Sequence, residues 1–218
     1  MGAAPVNPAS EVGQGRPAAV QPEHFAFDGE SEAAIPAILA KYPQGRQASA
    51  VLPLLDLAQR QMGRTTGSAW LPLAAMNVVA DRLGMPRIRV YEVATFYWMF
   101  NPLPIGKFHL QVCTTTPCWL CGSDEVTAAC RKVTGIRGWG ENSADGLFTM
   151  TEVECLGACV NAPILQVNDD YYEDLDGPAT ERLLQALKEG KAPPAGSVVG
   201  RQGSAPAGGP ITLTAIKD

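Results

Sequence analysis

No stretch of this 218-residue chain approaches the roughly 20 unbroken apolar residues that a membrane-spanning helix requires, because proline and charged side chains interrupt every run. Basic charge is sparse as well. Seventeen Lys and Arg stand against 22 Asp and Glu, for a net charge of -5, and the basic residues are scattered singly. No stripe of them offers a phosphate backbone a grip, which argues against nucleic acid as a partner. The first 20 residues have neither the charged start and apolar centre of a secretion signal nor the Arg-rich, acid-poor look of a transit peptide. The expected compartment is therefore reducing, where clustered cysteines mean metal or redox work more often than disulfides. A nucleotide fingerprint is lacking too. Gly135-Ile-Arg-Gly-Trp-Gly140 does not follow a strand and reads as a turn, and Gly106-Lys107 has neither the preceding glycine nor the following Ser or Thr of a phosphate loop.

What the chain does have is cysteine in two tight groups. Cys113-Thr-Thr-Thr-Pro-Cys118 is followed at once by Trp119-Leu120-Cys121, and Cys155-Leu-Gly-Ala-Cys159 comes later. Each group follows a run that alternates like a strand, Lys107 to Val112 and Phe148 to Val153, so two strand ends can deliver two thiolate pairs to one point. The residues between the thiols are small or turn-forming, which lets backbone N–H groups approach a buried anion.

Around this cassette the chain, 46% apolar, has material for one sizeable domain and a smaller one. Residues 1–29 lack periodicity and read as a flexible arm. A helical domain is expected over 30–103. Ser31 and Glu32 can cap a helix with its stripe at Ile35, Ile38, Leu39 and Tyr42. Ser49 opens a second helix that Gly63 stops, and Pro72 begins a third that ends at Gly84. The aromatic stretch ending Phe96-Tyr-Trp-Met-Phe100 exceeds what one helical turn can turn inward, so part of it is expected to meet another subunit.

From residue 104 to 190 the texture is strand, cysteine loop, helix, strand, cysteine loop, hairpin, helix. Ser123 is expected to cap the first of these helices, Asn168-Asp-Asp170 to turn the hairpin, and Pro178 to Glu189 to form the last helix. The order predicts a small mixed sheet with a helix on each side. Residues 191–218 read as an extended tail.

Spacing alone leaves several chemistries open. Cys113, Cys118 and Cys121 fit C-x4-C-x2-C, the plant-type 2Fe-2S pattern, but that site needs one distant cysteine and the chain offers a second pair. Two pairs suit two irons with two thiolates each. Zinc also accepts four thiolates, although its paired C-x2-C knuckles are missing, and Pro117-Cys-Trp-Leu-Cys121 invites a thioredoxin-like redox reading. Cys130 reads as a packed helix residue, Cys121 as a loop residue or a thiol beside the cluster, and His109 as a plain strand residue.

Cys113-Thr-Thr-Thr-Pro-Cys118, Val153-Glu-Cys-Leu-Gly-Ala-Cys159 with Ala162-Pro163, and Tyr91-Glu-Val-Ala-Thr-Phe-Tyr97 together resemble one family. It is the small 2Fe-2S subunit of the NADH-oxidising module of respiratory complex I. The resemblance runs from about residue 25 to the end of the chain. It implies an α+β chain, with an N-terminal helical domain followed by a thioredoxin-like ferredoxin domain. It also implies one 2Fe-2S cluster on Cys113, Cys118, Cys155 and Cys159, with Cys121 outside the set. The implied partners are the flavin- and NADH-binding subunit and the larger iron-sulfur subunit of the peripheral arm. Such a chain takes single electrons from its neighbour's flavin and has no substrate site of its own. It sits in the cytoplasm, peripheral to the inner membrane. Gly63 to Trp70 looks longer than the family's link between helices two and three, and the tail around Gly200-Arg-Gln-Gly203 favours complex I over the related small subunits of formate dehydrogenases and hydrogenases.

Overall fold

The computed structural model describes residues 18–203 and residue 208; the arm up to residue 17 and the remainder of the tail lie outside the described residues. The chain divides into two compact units, one up to residue 107 together with 140–142, the other comprising 108–139 and the residues from 143 onward.

The first unit holds helices α1 (Gly29–Ala40), α2 (Val51–Thr66), α3 (Leu73–Leu83) and α4 (Arg87–Phe96). Its core joins Ile35 of α1, Leu54, Leu55 and Ala58 of α2, Met76 and Val79 of α3, and Val90 of α4. The cap of α1 is Asp28, whose carboxylate accepts the Ser31 N–H at 2.8 Å, so Ser31 is not the cap but lies buried inside the first turn. Helix α2 runs through Gly63 and ends at Gly67, which adopts the left-handed φ of 79° that a C-cap asks of glycine. Gly63 serves packing instead, since a Cβ there would meet Ala69 Cβ at 3.1 Å. Part of the apparently long link is thus helix.

Two buried glutamines of α2 hold the irregular segments in place. Gln61 accepts from Asp28 N–H at 2.9 Å and donates to Ala26 O at 2.8 Å, while Gln59 accepts from Asn101 N–H at 2.7 Å and donates to Met99 O at 3.0 Å. Those bonds fix the aromatic turn after α4 so that Phe100 is buried while Phe96, Trp98 and Met99 point outward.

The second unit is built on β1 (Phe108–Cys113), β3 (Phe148–Val153), β4 (Leu165–Val167), β5 (Asp170–Glu173) and β6 (Gly196–Ser197), whose order in the sheet is β3-β1-β4-β5-β6; the short β2 (Glu141–Asn142) belongs to the first unit. Strands β1 and β3 are parallel, β4 is antiparallel to both β1 and β5, and β6 is parallel to β5. Asn168, at φ 55°, makes the tight β4–β5 hairpin and accepts the His109 N–H at 2.8 Å. Helices α6 (Ser123–Thr134) and α7 (Gly177–Lys188) share one core with Leu110, Val112, Phe148, Met150 and Leu165. These strand residues alternate onto a single face, so both helices pack there rather than one on each side. The opposite face carries His109, Gln111, Thr149, Thr151 and Gln166, a polar set that could not line an apolar helix interface.

Helix α7 is capped by Asp176, which accepts the Ala179 N–H at 2.6 Å. Helix α6 follows Gly122 in a left-handed conformation with no side-chain cap, and the Ser123 hydroxyl is buried without a hydrogen-bond partner. The segment after α7 is not wholly extended. Tyr172 and Glu173 pair with Gly196 and Ser197, so the chain returns to the sheet as β6.

Candidate metal centre

The register of β1 against β3 decides where the thiols go. Cys113 lies directly opposite Val153, so two parallel neighbours leave the sheet at the same edge, one ending on a cysteine and the other two residues short of one. Parallel strands need a long crossover, and α5 (Thr116–Leu120) with α6 supplies it while keeping Cys118 and Cys121 at the crossover's start.

In the first loop Thr115 precedes α5, and Pro117 sits in the first turn, where its missing N–H is no loss. That single turn folds Cys118 back toward Cys113. Both thiols are buried with Ala158 and Ile164. Cys113 Sγ is 3.2 Å from the Thr115 hydroxyl. Burial, reinforced by the hydrogen bond with Cys113, pushes the Cys118 thiol up to about 12, while the Ile164 amide pulls in the other direction.

The second loop is more open. Cys155 Sγ and Cys159 Sγ are exposed and 3.3 Å apart, and the Gly157 N–H donates to Cys155 Sγ at 3.4 Å. Gly157 has φ 81°, a conformation that aims its amide at the sulfur and that a side chain would strain. That amide is the main reason the Cys155 thiol lies below its ordinary value; Cys159 is raised, first by its hydrogen bond with Cys155 and then by burial. The loops also meet each other. The Thr115 hydroxyl reaches Cys155, and Cys159 lies within electrostatic reach of both Cys113 and Cys118.

None of the six cysteines is joined in a disulfide. Among the described residues no three His, Cys, Asp or Glu side chains converge as a single metal ion requires. A two-iron cluster asks something different of the protein, four cysteine thiolates in two pairs. Two sulfur couples from adjacent loops, one with a backbone amide on its sulfur, fit that donor set. Cys121 stands exposed at the end of α5, and Cys130 lies buried in the core of α6, its thiol pushed up to about 12 by burial. His109 is on the polar face of β1, with Nε2 2.8 Å from the Thr151 hydroxyl, and burial lowers it to about 4, so it is neutral at physiological pH. Glu152 accepts from the Thr114 hydroxyl at 2.6 Å, and the charge of Glu154 acts on Cys155.

The family described as Thioredoxin-like [2Fe-2S] ferredoxin matches residues 35–188. The chain belongs to that family. It is 53% identical over 161 residues to an NADH-quinone oxidoreductase subunit of Rickettsia typhi, an alignment covering 74% of this chain and 91% of the relative. Against the corresponding NADH-quinone oxidoreductase subunit of Rickettsia prowazekii it is 54% identical over 169 residues, 77% of this chain and 92% of that one. With NADH dehydrogenase [ubiquinone] flavoprotein 2, mitochondrial, of Dictyostelium discoideum it shares 47% over 193 residues, 88% of this chain and 76% of that one. The resemblance read from the cysteine loops and the Tyr91 to Tyr97 stretch therefore holds, and so does the expected thioredoxin-like 2Fe-2S fold. Among solved structures, an NAD+-reducing [NiFe]-hydrogenase in the H2-reduced state aligns with a TM-score of 0.53 over 63% of this chain and 23% of that one; at 18% identity this likeness concerns the fold alone.

Several residues that shape the loops carried no signal in the sequence. Tyr171 donates its hydroxyl to Leu156 O at 2.9 Å, Ile164 presents its amide to Cys118, and Asn161 and Arg201 hold the end of the second loop. Their partners are main-chain groups or distant carboxylates, and no local spacing records such pairings.

Proposed function

We propose that this chain is the one-electron-carrying subunit of an NADH:quinone oxidoreductase, with its single 2Fe-2S cluster held by Cys113 and Cys118 from one loop and Cys155 and Cys159 from the other. The observation that carries the ligand set is the adjacency of two thiol pairs at the ends of parallel strands β1 and β3. When bound, such a cluster gains and releases one electron, with no bond made or broken in the protein. The chain's own residues set how readily that happens. Amides such as Gly157 N–H favour the more negative form, and the carboxylates of Glu152 and Glu154 oppose it.

The site is asymmetric. Cys113 and Cys118 are buried, whereas Cys155 and Cys159 are exposed, and the exposed apolar residues Trp119 with Leu120 and Val160 directly follow Cys118 and Cys159 in the chain. An apolar rim around an electron-carrying centre suits contact with a partner that excludes water and shortens the path to its own redox group. The partner that meets this need is a flavin- and NADH-binding subunit, with the larger iron-sulfur subunit of the peripheral arm as a second neighbour. Exposed Phe96, Trp98 and Met99 give the first unit an apolar face of its own for this assembly. Among the described residues no helix is long and apolar enough to cross a membrane, and the place proposed for the chain is the cytoplasmic arm of the complex, peripheral to the inner membrane.

Serine substitution tests the ligand set. Cys159→Ser should abolish or displace the EPR signal of the dithionite-reduced chain while Cys121→Ser leaves it as in the parent. The reverse pattern would support the plant-type set and refute this one. Reconstitution with the flavin subunit, followed by an NADH titration of the same signal, tests the electron path.

A further inference from the structure

The second cysteine loop, residues 154–164, has only one short helical turn, Cys159–Asn161, and its two thiols are exposed, so something other than core burial must fix the sulfur positions. At the Cys155 end the anchor is the Tyr171 hydroxyl on Leu156 O. At the Cys159 end the anchor comes from chain that lies beyond α7. Strand β6 brings the backbone alongside β5, the Val198 N–H donates to Glu173 O at 3.0 Å, and Arg201 then reaches back over the loop.

The Arg201 guanidinium forks onto the Asp174 carboxylate through Nε, 2.9 Å from Oδ2, and through Nη2, and the same Nη2 donates to Val160 O at 3.1 Å. Asp174 is held from other sides. Its side chain accepts the Ser197 hydroxyl at 2.6 Å, and its N–H donates to Asn161 O at 2.7 Å. The Asn161 side chain closes the ring by donating to Glu173 Oε2 at 2.7 Å and to Gln202 O at 2.8 Å. Val160 and Asn161 directly follow Cys159. The bonds to Val160 O and Asn161 O therefore hold the two peptide units just beyond the one that follows Cys159, and with them the backbone that carries its sulfur.

We propose that Arg201 is a positioning residue for the metal centre: by joining Val160 O to the Asp174 carboxylate it clasps the Cys159 end of the loop and fixes the geometry of that sulfur. The inference rests on the reading of Cys159 as a cluster ligand. A planar fork is needed for this task, because a guanidinium can serve a carboxylate with two donors and still present an N–H to a carbonyl, whereas an ammonium offers a single point of charge. The clasp also gives residues 196–202 a role in the centre rather than that of a passive extension.

The test uses the full chain, loaded anaerobically with iron and sulfide, in four forms: parent, Arg201→Gln, Arg201→Lys and Cys159→Ser. Arg82→Gln, which removes an arginine of α3 paired with Glu32 at 2.5 Å, controls for loss of charge elsewhere. Iron content, the EPR line shape of the reduced cluster and the rate of iron loss to bathophenanthroline are measured. Arg201→Gln is expected to load two irons per chain, to broaden or shift the EPR lines, and to release iron about tenfold faster. Arg201→Lys should fall between the two, and Arg82→Gln should match the parent. If Arg201→Gln keeps the parent line shape and release rate while Cys159→Ser loses the signal, the clasp is refuted and the ligand reading stands. If Cys159→Ser retains the parent signal, the ligand reading falls and the clasp with it. Should Arg201→Gln fail to fold, Arg201→Lys decides: parent line shape and parent release rate in it refute the need for a fork.

Discussion

Asn161 offers the most quantitative check on the way the second loop is held. Its side chain is 1% exposed and its amide nitrogen donates to the Glu173 carboxylate, itself 3% exposed, and to Gln202 O. Asn161→Ala removes both donors inside a space that water does not reach. A hydrogen bond to a charged acceptor is worth about 1.5–3 kcal/mol and a neutral one about 1, so the loop should lose about 3 kcal/mol. The change should be read locally, by hydrogen exchange at the Asp174 N–H, which donates to Asn161 O at 2.7 Å. Three kcal/mol corresponds to a protection loss of roughly 150-fold. Asn161→Asp should be worse and should depend on pH. It places a second carboxyl against Glu173, and at about 3 Å two like charges at an effective dielectric of 20 repel by about 5 kcal/mol. Folding then proceeds more readily with a proton taken up. Protonating an ordinary Asp of unfolded pKa about 3.9 at pH 7 costs about 4 kcal/mol, which falls by about 1.4 kcal/mol per unit as the pH is lowered. The sign follows from proton binding: the folded variant holds a proton that the unfolded chain has released, so stability falls as pH rises above about 4. Protection within about threefold of the parent for Asn161→Ala, or an Asn161→Asp defect that does not shrink on acidification, would refute this account of the loop.

Other outcomes follow from the same structure. Phe148 is fully buried beneath α6 and α7, with its ring 5.6 Å from that of Phe108, so Phe148→Ala should cost about 3–5 kcal/mol in urea unfolding. Asp176→Ala should cost about 1 kcal/mol by the same measurement, through loss of the α7 cap. Glu154→Gln should raise the reduction midpoint of the cluster, by roughly tens of millivolts after screening, because it removes a negative charge beside Cys155; an unmoved midpoint in an EPR-monitored titration contradicts the electrostatic account. The Arg201 guanidinium holds the Asp174 carboxyl below its ordinary value of 3.8, so its contribution is fully present above that pH and is lost as pH falls through the lower folded value. Arg201→Gln should therefore flatten the acid limb of a stability–pH curve below about pH 4 and leave its slope near neutrality unchanged.

How far the sequence could be read depends on the range of the interaction in question. Alternation along Phe148 to Val153, the left-handed turn at Asn168 and the helix stop at Gly84 are local, decided by side chains within a few residues, and each appears where its pattern places it. Expectations failed where a neighbouring residue or a tertiary contact overrode the signal. Ser31 and Ser123 look like caps, yet an aspartate three residues earlier takes the first helix and a left-handed glycine opens α6. Gly63 looks like a stop because glycine is a poor helix former, but a tight approach to Ala69 requires it there and the helix runs on. The disposition of α6 and α7 on one face was not legible from element order, which is compatible with either arrangement; it follows from the polar alternate positions His109, Gln111, Thr149 and Thr151, which leave a single apolar face for helices.

The centre itself divides along the same line. Both cysteine pairs could be found from spacing because each is contained within six residues and follows a strand, and parallel pairing of those strands is enough to bring the pairs together. The support of the outer pair could not be found that way. Asn161 meets its partners 12 and 41 residues away, and Arg201 meets Val160 after 41. A Gly- and Pro-rich stretch such as residues 190–203 has no periodicity from which such a return could be inferred, since the bonds that bring it back to β5 and the loop are made by backbone groups, the Ser197 hydroxyl and one arginine. An exposed pair of thiols nonetheless has to be held to well under an ångström if a cluster's geometry is to survive each change of charge, and loops lacking core burial achieve that only through hydrogen bonds from elsewhere in the fold. The outer pair is thus the place where a segment that looks dispensable in sequence bears on the redox centre, and where a substitution more than 40 residues from the nearest cysteine is expected to be visible in its spectrum.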